Sequence, residues 1–226
     1  VTVIGLDLSL TAPGMVADRA NGTAVSETLH TDPKRGDKRY CDIRDWLWFY
    51  LHDMPYSLAV IEAVPPYDFA SSGLERLHGV AREVLARHDI PFAYVNVTAL
   101  KSFATDNGRA DKNEVMDYVK GETGKRPTDD NQADAWVLRR MGQIFLESAG
   151  GAWMGLSGAQ CKALDSVEWP LFPSDPSWPT PYGAISMRKP VTKKCKHGVV
   201  CLRNGAHWLH PFNVVVCDKP PKTTVR

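Results

Sequence analysis

Apolar residues come in short blocks along this chain, and the spacing inside each block predicts what it forms. Val3-Ile-Gly-Leu6 is a continuous apolar run that ends on a charge, Asp7, and the turn Thr11-Ala-Pro-Gly14 sends the chain back through Met15-Val-Ala17. Asn21-Gly22 separates that run from Thr23-Ala-Val-Ser-Glu-Thr-Leu29. Asn-Gly between two extendable segments is a hairpin signal, because both residues accept positive φ. Three antiparallel strands are therefore predicted, near residues 2–8, 13–18 and 23–30.

From Arg35 the period changes. Ile43, Trp46, Leu47, Tyr50 and Leu51 follow the i, i+3, i+4, i+7, i+8 pattern of a helix with one buried face, and Pro55 ends it. Ser57 to Val64 is apolar except for Glu62, which reads as a central strand that again carries a carboxylate to its end. After the stiff aromatic loop Pro65-Pro-Tyr67-Asp-Phe69, Ser71 or Ser72 caps a helix with Leu74, Leu77, Ala81, Val84, Leu85 and His88 on one side, while His78 and His88 themselves read as helix-surface residues rather than ligands. A strand over 91–97, a short helical turn over 98–105 that holds Lys101, and a helix opened by Lys112 with Val115, Met116 and Val119 inward come next. Thr128 or Asp129 caps a last helix with Val137, Met141, Ile144 and Phe145 inward.

Three strands, then helix, strand, helix, strand, helix, helix, is an α/β pattern. It sets Asp7 and Glu62 at strand ends and Asp134 inside the last helix, so three carboxylates converge on one rim. Asp130 lies four residues before Asp134 on the same helical face. Acids in a first helical turn commonly complement the helix dipole, which accounts for Asp129 and Asp130; Asp134 lies deeper, among Ala133, Ala135 and Trp136. The body is expected to span residues 1–150. Six prolines between Pro170 and Pro190 predict an irregular linker or wrap over 151–190, before a small basic Cys/His module over 191–226.

Composition narrows the class. Of 226 residues, 43% are hydrophobic and 23% charged, which is the balance of a globular protein rather than a disordered one. No apolar run approaches the length of a membrane span, and no basic segment precedes an apolar one as in a signal peptide. Five cysteines, an odd number with two of them isolated, do not form a secreted disulfide framework, so a reducing, cytoplasmic location is expected. The net charge of +1 hides an asymmetry: from Gly183 onward there are nine lysines and arginines against one acid, Asp218, which leaves eighteen bases against twenty-five acids before it. A basic tail on an acidic body points to a polyanionic partner.

Clustered carboxylates repel one another unless a divalent cation neutralises them, and oxygen-only donors suit Mg²⁺. Asp7, Glu62 and Asp134 have the chemistry to bridge two such ions about 4 Å apart, as in phosphodiester cleavage. No cysteine or histidine falls among them, which argues against zinc at that rim.

The order Asp7, Glu62, Lys101, Lys112, Asp134 resembles that of the RuvC-type Holliday junction resolvases over roughly residues 1–150. The likeness is carried by Leu100-Lys-Ser-Phe-Ala-Thr-Asp-Asn-Gly-Arg-Ala-Asp-Lys112-Asn-Glu-Val, similar to the family's two-lysine segment, and by Asp129-Asp-Asn-Gln-Ala-Asp-Ala135, similar to its final acidic motif. The resemblance implies a ribonuclease H-like fold, a mixed five-stranded sheet flanked by helices, in an enzyme that cuts branched DNA with Mg²⁺ or Mn²⁺; paired cuts across a four-way junction need two sites related by a two-fold axis, so a homodimer is expected. It implies Asp7, Glu62 and Asp134 as metal ligands, with Lys101 and Lys112 at the scissile phosphate. The fourth acidic position of some members is Asn131 here, which leaves Asn131 or its neighbour Asp130 as a further ligand. The aromatic that follows the family's second acid is replaced by Pro65, so Tyr67 or Phe69 is expected to stack on a DNA base.

Three other readings compete. A monomeric flap or fork nuclease would use the same acids. Gly5-Leu-Asp-Leu-Ser-Leu-Thr11 also resembles the first phosphate hairpin of actin-like ATPases and sugar kinases, but those need two such domains and a second glycine-rich loop, for which this chain has neither room nor sequence. A DNA-binding module without chemistry would have no reason to keep three crowded acids. In the tail, Cys195, His197, Cys201, His207, His210 and Cys217 place six soft or borderline ligands within 23 residues, and a structural zinc held by four of them is expected to organise the segment around Lys193, Lys194, Lys196 and Arg203.

Overall fold

A computed structural model describes residues 2–52, 54–65, 71–148 and 153–170, together with the backbone of three short strands at 192–194, 200–204 and 207–209. The first unit, Val1–Pro170, contains β1 (Val3–Asp7), β2 (Gly14–Asp18) and β3 (Ala24–Thr28), then a 3₁₀ turn over Pro33–Arg35 and α1 (Lys38–His52). It continues through β4 (Leu58–Glu62), α2 (Ser71–Arg87), β5 (Phe92–Val95), α3 (Val97–Thr105), α4 (Lys112–Thr123), α5 (Asp130–Glu147) and α6 (Gly158–Asp165). The strands form one sheet in the order β3-β2-β1-β4-β5, antiparallel among the first three and parallel from β1 to β4 to β5.

Alternation along the strands divides the core. Ile4, Leu6, Met15, Ala17, Ala59 and Ile61 pack with Ile43, Leu47 and Leu51 of α1 and with Leu77, Ala81, Val84 and Leu85 of α2. The residues between them, Val3, Gly5, Asp7, Val16, Leu58, Val60 and Glu62, face the other way, where α5 runs across β1, β2 and β4. Because the side-chain period is two, both strand-end acids point to the α5 side.

Two glycines let α5 lie directly on the sheet. A Cβ at position 5 would sit 2.6 Å from the Arg139 amide nitrogen and nearer still to the Ala135 carbonyl oxygen, and one at position 14 would strike the backbone of Asn131. The helix is tied at its start and again at its middle. At its start Asp129 is the N-cap, its side chain accepting from the Gln132 amide (2.8 Å) and from the Thr28 hydroxyl on the edge strand (2.7 Å), while Ser26 donates to the Gln132 side chain (2.8 Å). Further along, Arg139 donates to the buried Asp18 (2.9 Å), which also accepts from the Val3 amide (2.8 Å). A buried acid with those partners is a clamp on helix position, because losing either charge would strand the other away from water.

The stretch expected as a linker begins with ordered structure: α6 and the residues to Pro170 pack on the first unit, with Trp169 stacked on Phe145 at 4.4 Å between ring centroids. Eight helical residues with few apolar positions carry too short a period to be recognised in sequence. The second unit, Leu171–Arg226, contains an antiparallel sheet of β6 (Thr192–Lys194), β7 (Val200–Asn204) and β8 (His207–Leu209), in which Lys193 pairs with Cys201 and Asn204 with His207. No helix among the described residues is long and apolar enough to cross a membrane.

Candidate active site

Leu6 and Ile61 are register partners on adjacent parallel strands, so the next residue on each, Asp7 and Glu62, emerges at the same rim. Asp7 also stands opposite Gly14, the position on which the first turn of α5 rests. One helical turn beyond the N-cap, Asp134 comes down onto the same spot. Each of the three carboxylates offers an oxygen within 4.8 Å of the others.

Their electrostatics follow from that crowding. Burial, and then the negative charges of Glu62, Asp134 and Asp130, push the Asp7 carboxyl up to about 8. Burial and Asp134 raise Glu62 to about 7, against the pull of Lys101. Burial and Asp130 raise Asp134 to about 6, against Lys101 and Lys112. Three acids whose ionisation is made costly by burial and by one another's charge form a site that favours an added cation, and the all-oxygen donor set fits a hard divalent ion.

The remaining candidates divide. Lys101, from α3, lies close enough to Glu62 and Asp134 for its charge to bear on both. Lys112, at the start of α4, makes an ion pair with Asp130 that lowers the Asp130 carboxyl and raises the lysine. Asp130 is thus engaged by a cation and stands outside the cluster of three, and Asn131 packs its backbone and Cβ against Gly14. Tyr67 and Phe69 lie outside the described residues, as do Cys195, His197, His210 and Cys217; of Cys201 and His207 only the strand backbone is described.

His78 differs from its surface reading. It is 5% exposed, its Nδ1 has no hydrogen-bond partner, and burial pushes its imidazole down to about 4. The signal was present, since position 78 is four after Leu74 and three before Ala81, on the apolar side of α2. Its ring lies beside Tyr94 and lines a cleft of about 490 Å³ with Ala63, Val64, Glu75 and Arg82, beginning one residue past Glu62. Asp18 and its partner Arg139 were also missed: nothing in the local sequence links residues 121 apart.

This strand order, with an acid at the ends of the two central parallel strands and a third on the helix across them, defines a ribonuclease H-like fold. Among solved structures, the chain is similar to RuvC of Thermus thermophilus, with a TM-score of 0.56 and 20% identity over 66% of this chain and 97% of that one. It is equally similar to Thermus thermophilus RuvC in complex with a Holliday junction substrate, with a TM-score of 0.57 and 20% identity over 66% of this chain and 96% of that one. No protein-family model matches the sequence, and no curated protein matches it.

Proposed function

We propose that this protein is a metal-dependent, structure-selective DNA endonuclease that cuts branched DNA such as a Holliday junction, in recombination or repair. The observation that carries the reading is the convergence of Asp7, Glu62 and Asp134 within 4.8 Å at the rim of a sheet with the RuvC topology. These three side chains would hold Mg²⁺ or Mn²⁺, two ions in the full site. When bound, such ions supply an activated water and stabilise charge on the leaving oxygen.

The protein's own groups do the rest. Asp7 and Glu62 are fixed by the sheet and Asp134 by a helix tied to the sheet on either side of it, through Asp129 and Arg139, so the donors are organised before substrate arrives. Lys101 presents positive charge beside two of those acids, where it can stabilise charge that develops on the phosphate. Lys112, 75% exposed in its ion pair, is free to exchange Asp130 for a DNA phosphate at little cost. Tyr67 or Phe69 would stack on a base near the cut, and two copies of the chain would make paired cuts across a junction related by a two-fold axis. The tail, with zinc held by four of Cys195, His197, Cys201, His207, His210 and Cys217, would add backbone contacts through its lysines and arginines.

The test is a panel of end-labelled four-way junction, flap, fork and linear duplex, each with Mg²⁺, Mn²⁺ or EDTA, read beside light scattering of the free protein. Metal-dependent cutting that favours the four-way junction is the expected result. Cutting of single-stranded flaps alone by a monomer would replace the resolvase reading with a flap nuclease, and no cutting of any substrate would refute nuclease activity.

A further inference from the structure

The helix that carries Lys101 is short, and a segment after the final acidic helix holds it. At nine residues α3 is below the length at which a helix is stable alone, so its position is set by what it packs against. Its N-terminus is capped locally, Asn96 accepting from the Ala99 amide at 2.8 Å. Its C-terminus is not self-contained. The Phe103 carbonyl accepts from the Gln160 side-chain amide (3.2 Å), and Asp106, the left-handed C-cap with φ 57, accepts from the Ser157 hydroxyl (2.5 Å).

Ser157 and Gln160 are at the same time the capping box of α6: the serine hydroxyl accepts from the Gln160 amide (3.1 Å) and the glutamine carbonyl from the Ser157 amide (3.0 Å). Each side chain therefore caps its own helix with one function and grips α3 with another. Phe103 is fully buried, and Ala163 and Leu164 on α6 are buried too. Lys101 lies two residues before Phe103, little more than half a turn from the gripped carbonyl.

We infer that Ser157 and Gln160 are positioning residues that hold α3 so that Lys101 stays at the Asp7–Glu62–Asp134 site, which makes the segment after residue 150 part of the active-site scaffold. The catalytic side of this inference rests on the nuclease reading; the placement of Lys101 does not. Gln160→Glu separates the roles, since a glutamate still accepts from the Ser157 amide but has no N–H for the Phe103 carbonyl. Glutamate also suits the first turn of a helix, so α6 itself is not weakened.

In the full-length protein, Q160E is expected to slow single-turnover junction cleavage by about tenfold, with the junction Kd within about twofold of wild type. Amine-reactive labelling read by mass spectrometry should show Lys101 modified at least about threefold faster in Q160E, with Lys112 unchanged. A cleavage rate within about twofold of wild type, or equal labelling of Lys101 in both proteins, overturns the inference. If wild type cuts no branched DNA, the nuclease reading fails and the catalytic part of the inference with it, while the labelling still decides whether Gln160 places Lys101.

Discussion

At the scale of single residues, the acids were the legible part of the site. A charge that ends an apolar run has few physical excuses, and Asp7 and Glu62 each stand in that position; Asp134 stood out because dipole complementation explains only the first turn. Asp7→Asn or Asp134→Asn is expected to lower cleavage by roughly 10²–10³-fold while junction binding is retained, since each change removes a charged donor and leaves the surface that meets the DNA backbone. Either variant cutting within a few-fold of wild type would remove that residue from the metal site. The same acids give a pH prediction for the metal-free protein. Their folded values of about 8, 7 and 6 lie above the ordinary 3.8 to 4.5, so from about pH 4 upward the folded state binds more protons than the unfolded one. Their contribution to stability is full below that range, declines from there, and is lost completely once pH has risen through the folded values of about 6 to 8. In EDTA, Tm is expected to fall from pH 5.5 to 8.5, Asp7→Asn to flatten the fall, and Mg²⁺ to restore Tm mainly at the alkaline end. A metal-free Tm that stays level over that range would contradict the crowding. What sequence did not disclose at this scale were the long-range partners, Asp18 with Arg139 and Asp129 with Thr28, because a carboxylate's partner is chosen by the fold.

At the scale of elements, the strands and the helix faces were readable wherever period and punctuation agreed. The predicted strands near 2–8, 13–18 and 23–30 are observed at 3–7, 14–18 and 24–28, and the last helix does take Asp129 as its cap. The inward face of that helix was less well foreseen: Val137 and Met141 are buried, but Ile144 and Phe145 are only half-buried, beyond the part of α5 that lies on the sheet. The close approach of α5 to the sheet could not be read from periodicity, because it depends on the absence of a side chain at Gly5 and Gly14. Gly5→Ala tests it. The added methyl meets backbone on α5 rather than a side chain that can rotate away, so the helix itself must shift. The expected cost is at least about 1–3 kcal/mol, read as a shift in denaturant midpoint, and Asp134 should move off Asp7 with it. Mg²⁺ should then stabilise the variant less than it stabilises wild type. An unchanged midpoint would mean that α5 does not depend on that close approach.

At the scale of the whole molecule, charge and chemistry are distributed unequally between the two units. The first, through Pro170, contains the three acids, the clamped helix and the α6 segment; the second contains every base from Arg188 onward. The sequence reading ended the body near residue 150, after the last helix with a clear period, whereas the first unit runs to Pro170, because a short helix that packs mostly on one neighbour has no pattern of its own. On the nuclease reading, a chain ended after Pro170 is expected to fold and to keep metal-dependent cutting when protein is in excess, since the three acids, α5 and α6 all lie before that point. It should bind junction DNA more weakly, and with a shallower dependence on salt, because nine basic residues no longer displace counterions. The decisive measurement is the slope of log K against log salt for the two chains, taken with the same junction. If the tail binds phosphates, the slope drops by roughly 0.9 for each phosphate that the shortened chain leaves to its counterions; equal slopes would mean that the basic tail does not touch the DNA and that its charge serves another partner.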